Sequence, residues 1–303
     1  MFPVSLSRTY SLLRHVRDET NLNHVIPVHY MMISVALLGS RPLSQTCLKL
    51  LHNHSDISVK AVVTYPEDYE GWWDGSLHAE AQQKGYPIVE EEEVFNYEID
   101  YIISVLYYDI LSKELLNHPT RGGLNLHQAE LPRYRGSNTF SHAIMNARSD
   151  NYWKYGTTLH FMSENVDEGD IISRKFVDIN EHDTSKSLYI KTEQASAELF
   201  EEQLSNIVSG KVQTMRTPQS EFDGKTYFYN KNSLTGEKEI PLENIVEDES
   251  YAVYDKIRAL DFPPFEPAYT KIAGNKVYLT RTSYEELPVT SSEQTIIQST
   301  DKN

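Results

Sequence analysis

The sequence predicts an α/β fold built on a central, mostly parallel sheet. Apolar runs of strand length recur at 33–38, 59–64, 101–105 and 124–126, as strands buried on both faces of such a sheet require. Segments with apolar residues at helical spacing alternate with them, the signature of βα units. At 303 residues, 39% hydrophobic and 11% aromatic, the chain can bury one large domain and a small one and is too apolar for global disorder.

In chain order, residues 1–30 form an extension. Its first 17 residues hold Arg8, Arg14 and Arg17, several serines and no acid, a transit-peptide-like composition in a stretch too short to carry that assignment. Met31 and Met32 stand just before the first strand, so an upstream start or a decorative extension is the simpler account. Strand 33–38 ends at Gly39, and Leu43, Cys47, Leu50 and Leu51 mark a helix over 43–51. Gly39-Ser40-Arg41-Pro42 lacks the further glycines of a dinucleotide fingerprint, which favours a plain strand-to-helix turn over a phosphate cradle. Cys47 lies among apolar residues, the setting of a buried, inert thiol. As the single cysteine it excludes an intramolecular disulfide and a Cys-rich metal site.

The strand at 59–64 leads into an acidic loop, 65–75, whose Trp72 and Trp73 are expected to pack down on the domain. A helix over 76–84 stops at Gly85, and 87–89 reads as a short strand. The four acids at 90–93 read as a solvated loop or helix start. Strand 101–105, a helix over 112–116 and the strand ending at Leu126 follow, then a helix over 137–146 and strands at 155–162 and 171–177. Asp183 or Thr184 can cap a helix over 185–209, with Leu188, Thr192, Ala195, Leu199, Leu204 and Ile207 as its buried stripe and Gly210 as its stop. The main domain is therefore 31–210. Beyond it Pro218, Gly224, Gly236 and Pro241 punctuate short segments, with strand pieces at 227–229 and 277–279. This reads as a small β-rich subdomain over 211–285, followed by a polar tail over 286–303.

The net charge of -16 argues against an extended basic surface for nucleic acid. No apolar run approaches membrane-spanning length. The 11 histidines form no His/Cys cluster at ligand spacing, so no metal is expected.

Chemistry concentrates between Gly122 and Ile172. Asn125 and His127 are two apart in a strand and share a face, at the carboxyl end where open α/β sheets place ligands. Asp167 sits on a loop able to return towards them. The amide can hold a developing oxyanion, the imidazole can move a proton, and the carboxylate favours the charged imidazole. Taken singly, each is more often structural, and an Asp before Gly is commonly a turn residue. As a set they suit acyl transfer to an amine without a covalent enzyme intermediate.

Asn125-Leu126-His127, Leu131-Pro132-Arg133-Tyr134-Arg135-Gly136, Gly156-Thr157-Thr158-Leu159-His160 and Asp167-Glu168-Gly169-Asp170-Ile171-Ile172 strongly resemble the formyltransferase family that uses 10-formyltetrahydrofolate. The resemblance runs over roughly 33–279 and implies a Rossmann-like catalytic domain. It implies that Asn125, His127 and Asp167 are catalytic. Tyr108, Asp109, Leu111 and Val166 fall on the pterin side of the pocket, with ordinary core as the other reading of Leu111. Arg135 stands either near the acceptor or as a brace of its own loop. Tyr227 and Tyr229 either stack on a nucleotide base or fill a small core, and Tyr227 is the substrate-contact candidate. His160 reads as core or pocket lining. The connection at 150–153 is several residues longer than in many relatives and is expected to be a surface loop.

Ser137-Asn138-Thr139-Phe140-Ser141 looks more like sugar N-formyltransferases than like the tRNA enzymes. The segment around Arg258 and Ala259 resembles a turn found in both. The resemblance thus implies a cytoplasmic enzyme of polysaccharide biosynthesis. It would carry formyl from 10-formyltetrahydrofolate to the amine of a dTDP- or UDP-linked amino sugar, without a metal, and as a homodimer by analogy with the sugar enzymes. The alternatives are methionyl-tRNA formyltransferase, a 10-formyltetrahydrofolate hydrolase and, outside enzymes, a folate-binding pseudoenzyme, against which an intact triad argues.

Overall fold

Residues 32–282 are described by a computed structural model, preceded by a two-residue antiparallel pairing of Leu12–Leu13 with Pro27–Val28. The expectations for 1–30, that pairing apart, and for 286–303 lie outside the described residues.

The first half is a run of βα units. β1 (Ile33–Gly39) feeds α1 (Pro42–Asn53), and β2 (Ile57–Val63) feeds α2 (Leu77–Lys84). β3 (Tyr101–Val105) is followed by the short α3 (Lys113–Leu116), and β4 (Gly123–His127) by β5 (Tyr134–Gly136) and α4 (Thr139–Ser149). β6 (Lys154–Phe161), β7 (Ile171–Asp178) and the long α5 (Ser185–Val208) complete the domain. The central sheet has the order β2-β1-β3-β4-β6-β7. β1 to β4 are mutually parallel, whereas β6 runs antiparallel to both β4 and β7.

Alternation along β1 explains why its sequence is apolar throughout. Ile33, Val35 and Leu37 enter one core with Leu199, Phe200, Leu204 and Ile207 of α5, while Ala36 and Leu38 enter another with Ile102, Leu111 and Leu115. α5 starts where expected. Thr184 accepts from the Ser187 N–H at 3.2 Å and Ser187 Oγ accepts from the Thr184 N–H at 3.0 Å, a reciprocal cap. Cys47 is fully buried, and burial pushes its thiol pKa up. Trp72 meets Tyr189, Phe262 and Phe265 edge to face, so the loop packs down on the domain.

Three local expectations change. Residues 87–89 make a single bridge, Ile88 to Val62, rather than a strand. α4 begins two residues later than expected because Asn138 adopts a left-handed conformation (φ 58°) and its amide donates to Lys231 O and Ser233 Oγ, each at 3.1 Å. The longer connection at 150–153 is not simply surface. The Asp150 side chain is 4% exposed, receives Arg133 and Lys225 at 2.5 Å each, and accepts from the Tyr227 hydroxyl at 2.8 Å.

Beyond α5, β8 (Tyr227–Tyr229) leaves its neighbours and pairs in parallel with β5. The rest comprises α6 (Leu242–Glu247), α7 (Ala252–Ala259) and the antiparallel hairpin of β9 (Ala268–Ile272) and β10 (Asn275–Leu279). Ile240, Leu260 and Ala268 form its small core.

Candidate active site

The antiparallel β4–β6 pair sets Asn125 opposite His160 and His127 opposite Thr158. Asn125 and His127 share a face, and both are half-buried at the strand's carboxyl end. The turn between β6 and β7 returns Asp167, itself left-handed (φ 57°). Its Oδ1 lies 3.6 Å from His127 Nδ1 and 3.9 Å from His160 Nε2, and its Oδ2 accepts from the Gly136 N–H at 2.9 Å. The three expected catalytic residues therefore meet, and His160 joins them as a wall of the site.

Proton positions follow from the carbonyls. His160 Nδ1 donates to Phe161 O at 2.8 Å, so in the neutral ring Nε2 can only accept. It accepts from Asn125 Nδ2 at 3.1 Å, which fixes the amide's orientation and leaves that nitrogen's second N–H for a ligand. Burial, reinforced by His127, lowers the His160 pKa to about 4, while Asp167 pulls it the other way. His127 Nε2 donates to Tyr134 O at 3.1 Å, so in the neutral ring the Nδ1 lone pair is the one that faces Asp167.

Tight backbone contacts hold the Asp167 turn. A Cβ on Gly169 would lie 1.7 Å from Phe161 O, and one on Gly136 2.1 Å from Tyr229 O, so only glycine allows these approaches. Buried Gln219 donates to Asp167 O at 2.7 Å and to Gly169 O at 2.9 Å. Arg135 braces Gln219 in turn, giving Nε and Nη2 to its Oε1 at 3.2 and 2.8 Å and Nη1 to Glu168 at 2.9 Å. Of the two readings of Arg135, these bonds support the brace.

The loop after β3 flanks Asn125 on the other side. Tyr108 stacks on Tyr65 at 4.2 Å and Tyr65 on Tyr69 at 3.7 Å, a three-ring ladder tying this loop to the one after β2. Asp109 is exposed. The Leu111 side chain is in the core at 8% exposure, as its alternative reading had it. Val166 is 42% exposed beside Asp167, and Ile110, which sequence reasoning passed over, is 77% exposed. The half-buried Tyr227 stacks its ring on Tyr134 at 5.7 Å and donates its hydroxyl to Asp150, contacts that go with the small-core reading of the two held for it. Gln219 was also missed. Its role depends on contacts about fifty positions away and leaves no local signal. Among the described residues, no three His, Cys, Asp or Glu side chains gather as a metal site, and no helix is long and apolar enough to cross a membrane.

Comparison with known proteins agrees with this geometry. Residues 35–204 match the family described as formyl transferase. Methionyl-tRNA formyltransferase of Geobacillus sp. (strain WCH70) is 32% identical over 80% of this chain and 76% of its own length. Among solved structures, a 4-N formyltransferase from Francisella tularensis superposes with a TM-score of 0.67 at 20% identity, covering 84% of this chain and 99% of that one. The N-formyltransferase from Helicobacter canadensis, solved with folinic acid and dTDP-3-aminofucose, gives 0.64 at 21% identity over 82% and 87%. Sequence, fold and the meeting of amide, imidazole and carboxylate at one strand end lead to the same assignment: the chain belongs to the formyl transferase family and is a formyltransferase.

Proposed function

We propose that the protein transfers a formyl group from 10-formyltetrahydrofolate to the amine of a nucleotide-linked amino sugar, a dTDP or UDP derivative. The observation that carries the acceptor class is charge. The chain stands at -16, and three of the cations on this side are already engaged, Arg135 by Glu168 and Gln219, Arg133 and Lys225 by Asp150. A tRNA would instead draw on uncommitted lysines and arginines to displace its counterions. For the folate, Ile110 on the loop after β3 and Val166 beside Asp167 are large apolar side chains left in solvent that a pterin would cover. Such a reaction belongs in the cytoplasm and feeds polysaccharide biosynthesis.

In the transfer, the C–N bond from the amine to the formyl carbon forms and the bond from that carbon to the folate nitrogen breaks. The free N–H of Asn125 meets the developing oxyanion. The His127 Nδ1–Asp167 pair takes the proton the amine loses and returns it to the folate nitrogen as that nitrogen leaves. Loss of one preorganised oxyanion donor typically costs about 3–4 kcal/mol of transition-state stabilisation.

The test mixes the protein and 10-formyltetrahydrofolate with a panel of dTDP- and UDP-amino sugars, with charged methionyl-tRNA, and with water alone. We expect tetrahydrofolate release only with an amino-sugar nucleotide, and Asp167→Asn should lower kcat by about a hundredfold or more. Release with the tRNA, the acceptor that the 32%-identical relative favours, would overturn the acceptor class. Release without acceptor would indicate a hydrolase.

A further inference from the structure

Alternation along β8 turns its three aromatics to opposite sides. Tyr227 faces Tyr134 and Asp150. Tyr229 lies flat on His142 at 3.5 Å and 3°, with its hydroxyl accepting from Asn146 at 3.0 Å. Phe228, between them, is 66% exposed. It is the register partner of Arg135, and its ring edge comes within 3.4 Å of where a Cβ on Gly136 would stand. The Gly136 N–H holds the Asp167 carboxylate at 2.9 Å. A flat apolar ring thus stands open to solvent one residue from the catalytic carboxylate. It also lies on the flank of β4 opposite the loop after β3. Leu131, which leads into β5, donates to Thr158 of β6 at 3.0 Å, whereas β3 borders the other edge of β4.

We propose that Phe228 is the acceptor-side stacking surface, taking the face of the planar base of the nucleotide that carries the amine. The inference rests on the acceptor class proposed above and names the residue that holds its base. Ring-on-base stacking tolerates any base, because each has a π-face. Phe228 therefore supplies affinity without choosing between dTDP and UDP. The neighbouring Arg135 stays with Gln219 and Glu168 as part of the scaffold.

Calorimetric titration of the full chain with dTDP and with UDP tests this, in the wild type, Phe228→Ala and Phe228→Trp. We expect Phe228→Ala to weaken both nucleotides about tenfold or more and Phe228→Trp to bind them at least as well as the wild type. In formyl transfer, Phe228→Ala should raise the acceptor KM by a similar factor with little change in kcat or in the folate KM. Unchanged thermal midpoints would show that the exposed substitution left the fold intact. Wild-type protein that binds neither nucleotide, or Phe228→Ala binding them undiminished, overturns the proposal. Nucleotide binding through Phe228 with no turnover of any amino-sugar nucleotide would instead sink the proposed reaction and leave the stacking surface standing. Turnover indifferent to Phe228→Ala would do the reverse.

Discussion

At the scale of single residues, the Asn125 amide is oriented by a buried histidine, His160. The His160 Nδ1–H donates to the Phe161 carbonyl, so Nε2 presents a lone pair to Asn125, whose amide can then point only one way. The arrangement requires the ring to stay neutral, and burial, with His127 beside it, holds its pKa at about 4. The sign of the linkage follows. The folded state refuses a proton that the unfolded chain accepts near the ordinary 6.5. The stabilisation is therefore complete above about pH 6.5 and is lost as pH falls towards 4, at up to about 1.4 kcal/mol per pH unit for one group. His142, also lowered to about 4 by burial, adds in the same direction. Urea melts at pH 7 and pH 4.5 should show this loss, and His160→Gln should show less of it. An NMR titration in which the His160 ring protonates near pH 6.5 in the native state would contradict the account.

At the scale of elements, the position of Asp167 beside His127 depends on how the β6–β7 turn is held. Gln219 ties two backbone carbonyls of that turn, and Arg135 fixes the amide that does so. We expect Gln219→Ala to fold, to lose about 1–3 kcal/mol for the carbonyls left unpaired, and to lower kcat by about tenfold or more as Asp167 drifts from His127. Hydrogen exchange should quicken at 163–170 and stay slow in β1 to β4. A variant with normal kcat would remove Gln219 from the positioning of Asp167. This is also where legibility in the sequence divides. β1 to β4 were readable because strands buried on both faces are continuous apolar runs, and α5 because its stripe and its Thr184 cap are local. Asn125, His127 and Asp167 were readable as a spaced set. The β5–β8 pairing was not, since three residues carry it between distant segments, and register alone decides that Phe228 faces out while Tyr227 and Tyr229 face in. Nothing local in 150–153 announces that Asp150 is buried between Arg133 and Lys225.

Across the whole molecule, the question is what fastens the part beyond Gly210 to the catalytic domain. β8 is one attachment, at the site itself. Another is a buried clasp at α7. Arg258 is fully buried and donates Nε to Asp255 at 2.9 Å and Nη1 to Asp183 O at 3.0 Å and Asn180 O at 3.2 Å, just before α5. Asp255, 2% exposed, also receives Arg148 of α4 at 2.8 Å. One carboxylate therefore ties α7 to α4, and one guanidinium ties α7 to the start of α5. Arg258→Ala leaves a buried carboxylate short of a partner and takes the guanidinium donor from Asp183 O, while Asn180 O keeps the Asp183 N–H at 3.0 Å. Removing one partner of a buried pair costs about 3–5 kcal/mol, whereas a partly exposed one costs far less. Arg258→Ala should thus lower the urea midpoint sharply, and Arg148→Ala, whose side chain is 30% exposed, should lower it only slightly. The clasp and the active site share no residue. Arg258→Ala assayed well below its own melting temperature should therefore keep its acceptor KM, and a raised KM there would mean that α7 reaches the acceptor side through β8.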